Sequence, residues 1–189
     1  MTRVYLVRHA QSDRLWPHDN TKPLTPLGLE ERHKVTRLLE TIPIDVFLSS
    51  PFKRSVDTIS PLSELLGKSI HTDARFRERM PGENGYAVEM LEKRWADFGF
   101  CEEGGETIAG TQKRNVEALR ETLDAFRGKS IVIGTHGTAM SVIINHYDPS
   151  FGCDDFKRIW HVMPYVIRLD FEGQEYISRE ELLFVESFH

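Results

Sequence analysis

Ser130-Ile131-Val132-Ile133-Gly134-Thr135 is the stretch that decides the fold. Its apolar, β-branched residues run without polar alternation, the mark of a strand buried on both faces. His136 and Gly137 follow at once, and a helical pattern runs from about Thr138 to Tyr147. A buried strand feeding straight into a helix is the building unit of a parallel sheet with helices on both faces. The same unit recurs outward from there. Arg3–Arg8 reads as a buried strand, and Asp45–Ser50 as another. Ser50-Pro51 is a cap residue followed by proline, so a helix is expected directly at that strand's end. Pro61 lies inside this helix and predicts a kink or a break. Gly67 closes the segment, and Lys68–Thr72 is a weaker strand. Thr25-Pro26 opens a further helix with Leu27, Val35, Leu38 and Ile42 on roughly one face, stopping before Pro43.

The second half continues the alternation. Glu83 to Gly99 carries Val88, Leu91, Trp95 and Phe98 at helical spacing. The strongest helix is Glu106 to Arg127, where Val116, Leu119, Leu123 and Phe126 recur at threes and fours until Gly128. Near the end Ile167, Leu169 and Phe171 alternate with Val166, Arg168 and Asp170. Glu172-Gly173-Gln174 then turns the chain into a last strand near Tyr176–Ser178. The expected architecture is α/β: a three-layer sandwich, with a mainly parallel central sheet, helices on both faces and a C-terminal antiparallel hairpin. Residues 1–189 read as one domain.

Composition narrows the function. Hydrophobic residues are 40% and charged residues 28%, a globular balance. Lys+Arg is 24 against Asp+Glu 29, a net charge of -5, which argues against nucleic-acid or anionic-membrane partners. Two cysteines, Cys101 and Cys153, exclude a disulfide scaffold and a cysteine-based zinc site. No apolar run approaches the ~20 residues of a spanning helix, and Met1–Val7 reads as strand rather than signal peptide. A cytoplasmic location is expected.

In open α/β sheets, ligands bind beyond the carboxyl ends of the strands. The first strand delivers Arg8 and His9 there. The second delivers Ser49-Ser50-Pro51, then Arg54 in the first turn of its helix. The strand at Ile131 delivers Thr135, His136 and Gly137. If those strands are neighbours, two Arg and two His meet. Guanidinium forks and helix N-termini suit phosphoryl oxygens. The flanking positive charges favour a neutral imidazole able to act as a nucleophile.

Together Val7-Arg8-His9-Ala10-Gln11-Ser12, Ser49-Ser50-Pro51-Phe52-Lys53-Arg54-Ser55, Arg77-Glu78-Arg79, Gly104-Gly105-Glu106-Thr107 and Gly134-Thr135-His136-Gly137 form an ordered set. The set resembles the histidine phosphatase superfamily, in its phosphoglycerate mutase-like branch. The resemblance implies that His9 becomes phosphohistidine and that Arg8, Arg54 and His136 hold the phosphoryl group. It implies that Glu78 is the general acid, then the base for water, with Glu83 the rival. Substrate binding falls to Arg8, Ser12, Arg54, His136 and Gly137, with no metal and no cofactor. Some positions depart from the pattern. The signature glycine is Ala10, which adds a Cβ beside His9. Leu15 stands at the spacing of a common Asn, and the family's tryptophan-containing segment is not seen after Gly82.

The expected activity is metal-independent hydrolysis of phosphate monoesters on a small phosphorylated substrate. Mutase-type phosphoryl transfer and a non-catalytic phospho-ligand binder are the alternatives; 189 residues leave little room for a mutase insertion. His18, His33, His71, His146, His161 and His189 lack metal-ligand spacing. Trp95 and Trp160 read as core, and Trp16 as a candidate pocket wall. Arg75, Arg77 and Arg79 alternate, either as a solvated face or toward a second anionic group of the substrate. Oligomeric state is left open.

Overall fold

A computed structural model describes residues 1–83 and 87–187. Val88 is described in its backbone only, and His189 lies outside the described residues. Six strands form one sheet: β1 (Thr2–Arg8), β2 (Val46–Ser49), β3 (Ile70–Thr72), β4 (Ser130–Thr135), β5 (Val162–Glu172) and β6 (Glu175–Glu186). Their order is β3-β2-β4-β1-β5-β6. The first four in that order run parallel, while β5 is antiparallel to both β1 and β6. The parallel core and terminal hairpin are therefore both present, and the hairpin is longer than its sequence signal. Among the described residues six α-helices accompany the sheet: α1 (Pro26–Leu39), α2 (Lys53–Leu65), α3 (Val88–Ala96), α4 (Ile108–Ala125), α5 (Gly137–Tyr147) and α6 (Cys153–Arg158).

Strand side chains alternate between two cores, as a period of two requires. Val4 and Leu6 of β1 join Ile131 and Ile133 of β4 on one face, under Leu119, Leu123, Met140 and Ile143 of α4 and α5. Tyr5, Val7 and Val132 point the other way, to Val35 and Leu39 of α1 and Ile59 and Leu62 of α2. Leu27 does not join this face; it is exposed in the first turn of α1. Among the described residues no helix is long and apolar enough to cross a membrane.

Local chemistry sets the helix ends. The Thr25 side chain accepts from Gly28 N–H at 3.0 Å, and Thr107 from Gly110 N–H at 2.9 Å, relieving orphan donors of α1 and α4. Gly28 is required for a second reason. A Cβ there would lie 2.1 Å from the Gln11 carbonyl oxygen, so the start of α1 presses directly on the loop after His9.

Pro61 neither breaks nor ends α2, contrary to the sequence expectation. Proline removes the N–H that would serve the Asp57 carbonyl. That carbonyl instead accepts from Arg32 Nη1 of α1 at 2.9 Å and from Ser60 Oγ at 3.3 Å. The neighbouring helix thus supplies the missing donor. The small α6, which sequence periodicity did not reveal, buries Phe156 against the first core.

Replacing Arg32 with Met should lower unfolding stability in urea by about 0.5–1.5 kcal/mol, because it removes the shorter of the two hydrogen bonds to this carbonyl. In a Pro61→Ala background, which restores a backbone donor, the same replacement should cost clearly less. Equal costs in both backgrounds would contradict this role for Arg32.

Candidate active site

Register brings the expected residues together. β1 pairs with β4 so that Arg8 stands opposite Thr135, and β2 pairs with β4 so that Ser49 stands opposite Gly134. His9 N–H continues the ladder to the Thr135 carbonyl at 3.1 Å, and Ser50 N–H to the Gly134 carbonyl at 2.9 Å. Three strand ends therefore open on one edge.

His9 is 7% exposed. Its Nδ1 lies 2.7 Å from the carbonyl oxygen of Ala10, an acceptor only, so Nδ1 carries the proton and Nε2 the lone pair. Burial holds this imidazole well below its ordinary value of 6.5, and the charges of Arg54 and Arg8 push the same way. The Ala10 Cβ is accommodated in a fully buried position, and Ala10 N–H donates to Thr58 Oγ1 at 2.9 Å. Thr58 Oγ1 donates in turn to the Arg54 carbonyl at 2.7 Å.

Arg8 donates through Nη1 to the Ile159 carbonyl at 2.5 Å and through Nη2 to the Trp160 carbonyl at 3.2 Å. The hairpin-side segment after α6 thus fixes the guanidinium. Burial lowers Arg8 to about 10; Glu78 opposes this, while Arg14 and Arg54 add to it. It still carries its charge at neutral pH. Gly137 lies against the same group: a Cβ there would come within 2.9 Å of Arg8 Nη2, so a larger residue would displace the guanidinium.

Arg54 is held by Asp19, with Nη1 2.6 Å from the Asp19 carbonyl and 3.1 Å from Oδ1. The same Oδ1 lies 3.1 Å from Lys22 Nζ. His136 is fully buried, edge-on to His9 with ring centroids 5.3 Å apart. Its Nε2 and Ser50 Oγ are hydrogen-bonded at 2.8 Å. Burial, then Arg54, His9 and Arg8, holds it well below its ordinary value as well.

Glu78 is anchored at the start of α5. Its Oε1 accepts from Arg79 N–H at 2.8 Å and Ala139 N–H at 3.1 Å, and its Oε2 from Thr138 N–H at 3.0 Å. Two backbone N–H groups at the start of α5 thus serve the carboxylate. Arg114 of α4 secures the segment behind it. This guanidinium donates to the carbonyls of Arg75, Arg77 and Glu78 at 2.6, 2.7 and 3.1 Å and pairs with Glu106. Glu83, the rival acid, is exposed and does not line the cavity.

These residues open on a cavity of about 370 Å³. That is at the small end of the ~300–1,000 Å³ of small-molecule sites. Arg8, His9, Ser12, Arg54, Glu78 and Gly137 line it, while His136 stands behind His9. Among the described residues six Arg or Lys side chains line it against two carboxylates, Asp19 and Glu78, so this lining is cationic in a chain that is net acidic. Sequence reasoning missed Arg14, Lys22 and Arg94 here. Trp95 belongs to the first core, as expected, and Trp160 packs against it; both also line the cavity, beside Leu91, Ile108, Phe156 and Met163. Trp16 is no wall: it is 43% exposed and donates to Thr21 Oγ1 at 3.1 Å. Leu15 is 93% exposed and does not line the cavity. Arg75 pairs with Asp73 and Glu121, and Arg77 with Glu106; of the three alternating arginines, Arg79 lines the cavity. Among the described residues no cluster of three His, Cys, Asp or Glu side chains could hold a metal ion.

A sequence profile of the histidine phosphatase superfamily (branch 1) matches residues 4–180. The chain belongs to this superfamily. Relatives of this histidine phosphatase include a putative phosphoserine phosphatase 2 of Hydrogenobacter thermophilus, 36% identical over 87 residues, which are 44% of this chain and 43% of that protein. The chain thus spans less than half the length of that relative. An uncharacterised phosphatase of Bacillus subtilis, PhoE, is 28% identical over 149 residues, 76% of each chain. Among solved structures, a phosphoserine phosphatase mutant from Entamoeba histolytica in complex with phosphoserine superposes with a TM-score of 0.78 at 18% identity, covering 97% of this chain and 96% of that one. At that identity the likeness speaks for the fold.

The two buried histidines make stability pH-dependent. Both bind protons less readily folded than unfolded, so stability is full above about pH 6.5 and falls as pH drops below it. Each should contribute a slope approaching ~1.4 kcal/mol per pH unit. Urea unfolding between pH 7 and 5 should therefore flatten in the His9→Gln/His136→Gln double variant; an unchanged slope would show that other groups titrate.

Proposed function

We propose that this histidine phosphatase hydrolyses small phosphate monoesters through a phosphohistidine on His9, without a metal ion. The observation that carries the reading is the state of the His9 ring. Its Nδ1 proton is committed to the Ala10 carbonyl, and depressed basicity keeps the other nitrogen unprotonated in a cationic cavity. An unprotonated Nε2 is a nucleophile for phosphorus.

In the first half-reaction, a bond forms between Nε2 and phosphorus as the ester P–O bond breaks. Glu78 gives its proton to the departing oxygen. In the second, Glu78 takes a proton from water, the water oxygen bonds to phosphorus, and the P–N bond breaks, releasing phosphate and restoring His9. Arg8 and Arg54 pair with the equatorial oxygens in both steps, where charge is spread over the transferring group. His136 adds hydrogen-bonding capacity from behind His9, and Ser12 and Gly137 border the bound group. For Arg54 this requires exchanging part of its contact with Asp19 for phosphoryl oxygens.

His9→Ala should abolish release of phosphate from 4-nitrophenyl phosphate in protein that remains folded; substantial residual turnover would sink the mechanism. Glu78→Gln should slow esters with poor leaving groups by about 10²–10⁴-fold and aryl phosphates much less. If Glu83→Gln produces that pattern instead, the acid is misassigned. Free phosphate is the expected product from a phosphoglycerate, and an isomerised ester would favour mutase-type transfer.

A further inference from the structure

Ser50, one residue past β2, is fully buried, and the chemistry above gives its hydroxyl no task. Its Oγ accepts from Phe52 N–H at 3.2 Å and lies 2.8 Å from Nε2 of His136. Among the described residues no other hydrogen bond reaches this oxygen. Two neutral arrangements of the pair are possible. If Nε2 carries the proton, it donates to Oγ. The hydroxyl hydrogen then has no acceptor, and the lone pair of Nδ1 has no donor, because Nδ1 is buried without a partner. If Nδ1 carries the proton, the hydroxyl donates to Nε2, and Nδ1–H is the one group left unpaired. Each buried polar group without a partner is destabilising, so the second arrangement is favoured.

An imidazolium is opposed by burial and by the charges of Arg54 and Arg8. Packing holds the ring in place: it stands edge-on to both His9 and Phe52, with centroids 5.3 Å from each. His136 Nδ1 is not the only idle donor here. Arg8 Nε is also buried without a partner. It lies beside the same strand end, since a Cβ on Gly137 would come within 3.2 Å of it. Buried N–H groups are ordinarily paired. Two idle donors from the neighbouring ends of β1 and β4 suit an acceptor-rich group, and a phosphoryl group on His9 is one.

We propose that Ser50 is a positioning residue: its hydroxyl donates to Nε2 of His136 and holds that ring as the Nδ1–H tautomer, so that Nδ1–H is the donor offered to the transferring phosphoryl group. The tautomer of a histidine is set by the bond its other nitrogen makes, and here that bond comes from the neighbouring strand. His136 then acts as a neutral donor while Arg8 and Arg54 carry the positive charge. The proposal deepens the phosphatase reading, which supplies the acceptor.

Nitrogen-15 spectra of the histidine-labelled protein above pH 7, with and without inorganic phosphate, test it. In the wild type, Nδ1 of His136 should carry the proton and Nε2 should not, and phosphate should move the Nδ1 resonance without changing the tautomer. Ser50→Ala should shift the ring toward Nε2–H and lower kcat for 4-nitrophenyl phosphate about 10–100-fold, with KM changed much less. Ser50→Thr, which keeps the hydroxyl, should retain most of both properties. Should Ser50→Ala not fold, the spectra of the wild type and of Ser50→Thr decide. An Nε2–H ring or an imidazolium in the wild type overturns the proposal. So does a Ser50→Ala variant that loses activity with the Nδ1–H tautomer unchanged, because Ser50 would then be merely structural. An Nδ1 resonance indifferent to phosphate overturns the donor role. If no ester is hydrolysed at all, the phosphatase reading has failed by itself, and the tautomer and its response to phosphate still decide the role of Ser50.

Discussion

The parallel pairing of β1 with β4, with Arg8 opposite Thr135, is the constraint on which the site depends. Parallel neighbours end at the same edge of a sheet. With β2 on the far side of β4, that edge receives Arg8, His9, Ser50 and His136 from segments more than 40 residues apart in sequence. Shifting β1 by one residue would exchange its two faces, sending Val4 and Leu6 into the wrong core. The buried alternation that stabilises the sheet therefore also fixes where the imidazole and guanidinium groups stand. Burial of His9, with the charges of Arg54 and Arg8 beside it, depresses its proton affinity, so the same packing that forms the fold prepares a neutral imidazole.

Concentrating positive charge in an apolar cavity is costly unless anions or carbonyls share it. Here the compensation is distributed. Backbone carbonyls of Ile159 and Trp160 take Arg8, Asp19 takes Arg54, and Glu102 takes Arg79 and Arg94. Arg114 and Glu106 lie one layer further back and brace the segment that carries Glu78. The Gly104-Gly105-Glu106-Thr107 motif gains a physical meaning from this. Thr107 caps α4, and Glu106 holds the arginine that clamps the Glu78 segment.

The sheet, its parallel core and the meeting of Arg8, His9 and Arg54 were legible in the sequence, because strand-end positions follow from local patterning. The unread parts depend on distant partners. Pro61 marks a helix break by local rules, and only the packing of α1 places Arg32 beneath it. Leu27 fits the apolar period of α1 but falls at its open first turn. Trp95 and Trp160 were legible as core residues, but spacing does not show that one side of each also borders a cavity. Arg94 and Glu102 look like ordinary surface charges, since burial of an ion pair leaves no trace in spacing. The α6 helix is six residues long, too short for a periodic signal.

The central claim is that phosphorus is transferred to His9. Mixing the protein with an isotopically labelled phosphate ester, quenching in alkaline denaturant within the first turnover and mapping the label by mass spectrometry tests it most directly. The account predicts an acid-labile, base-stable phosphate on His9. Phosphate on a serine or cysteine, or turnover with no covalent label at all, would contradict it.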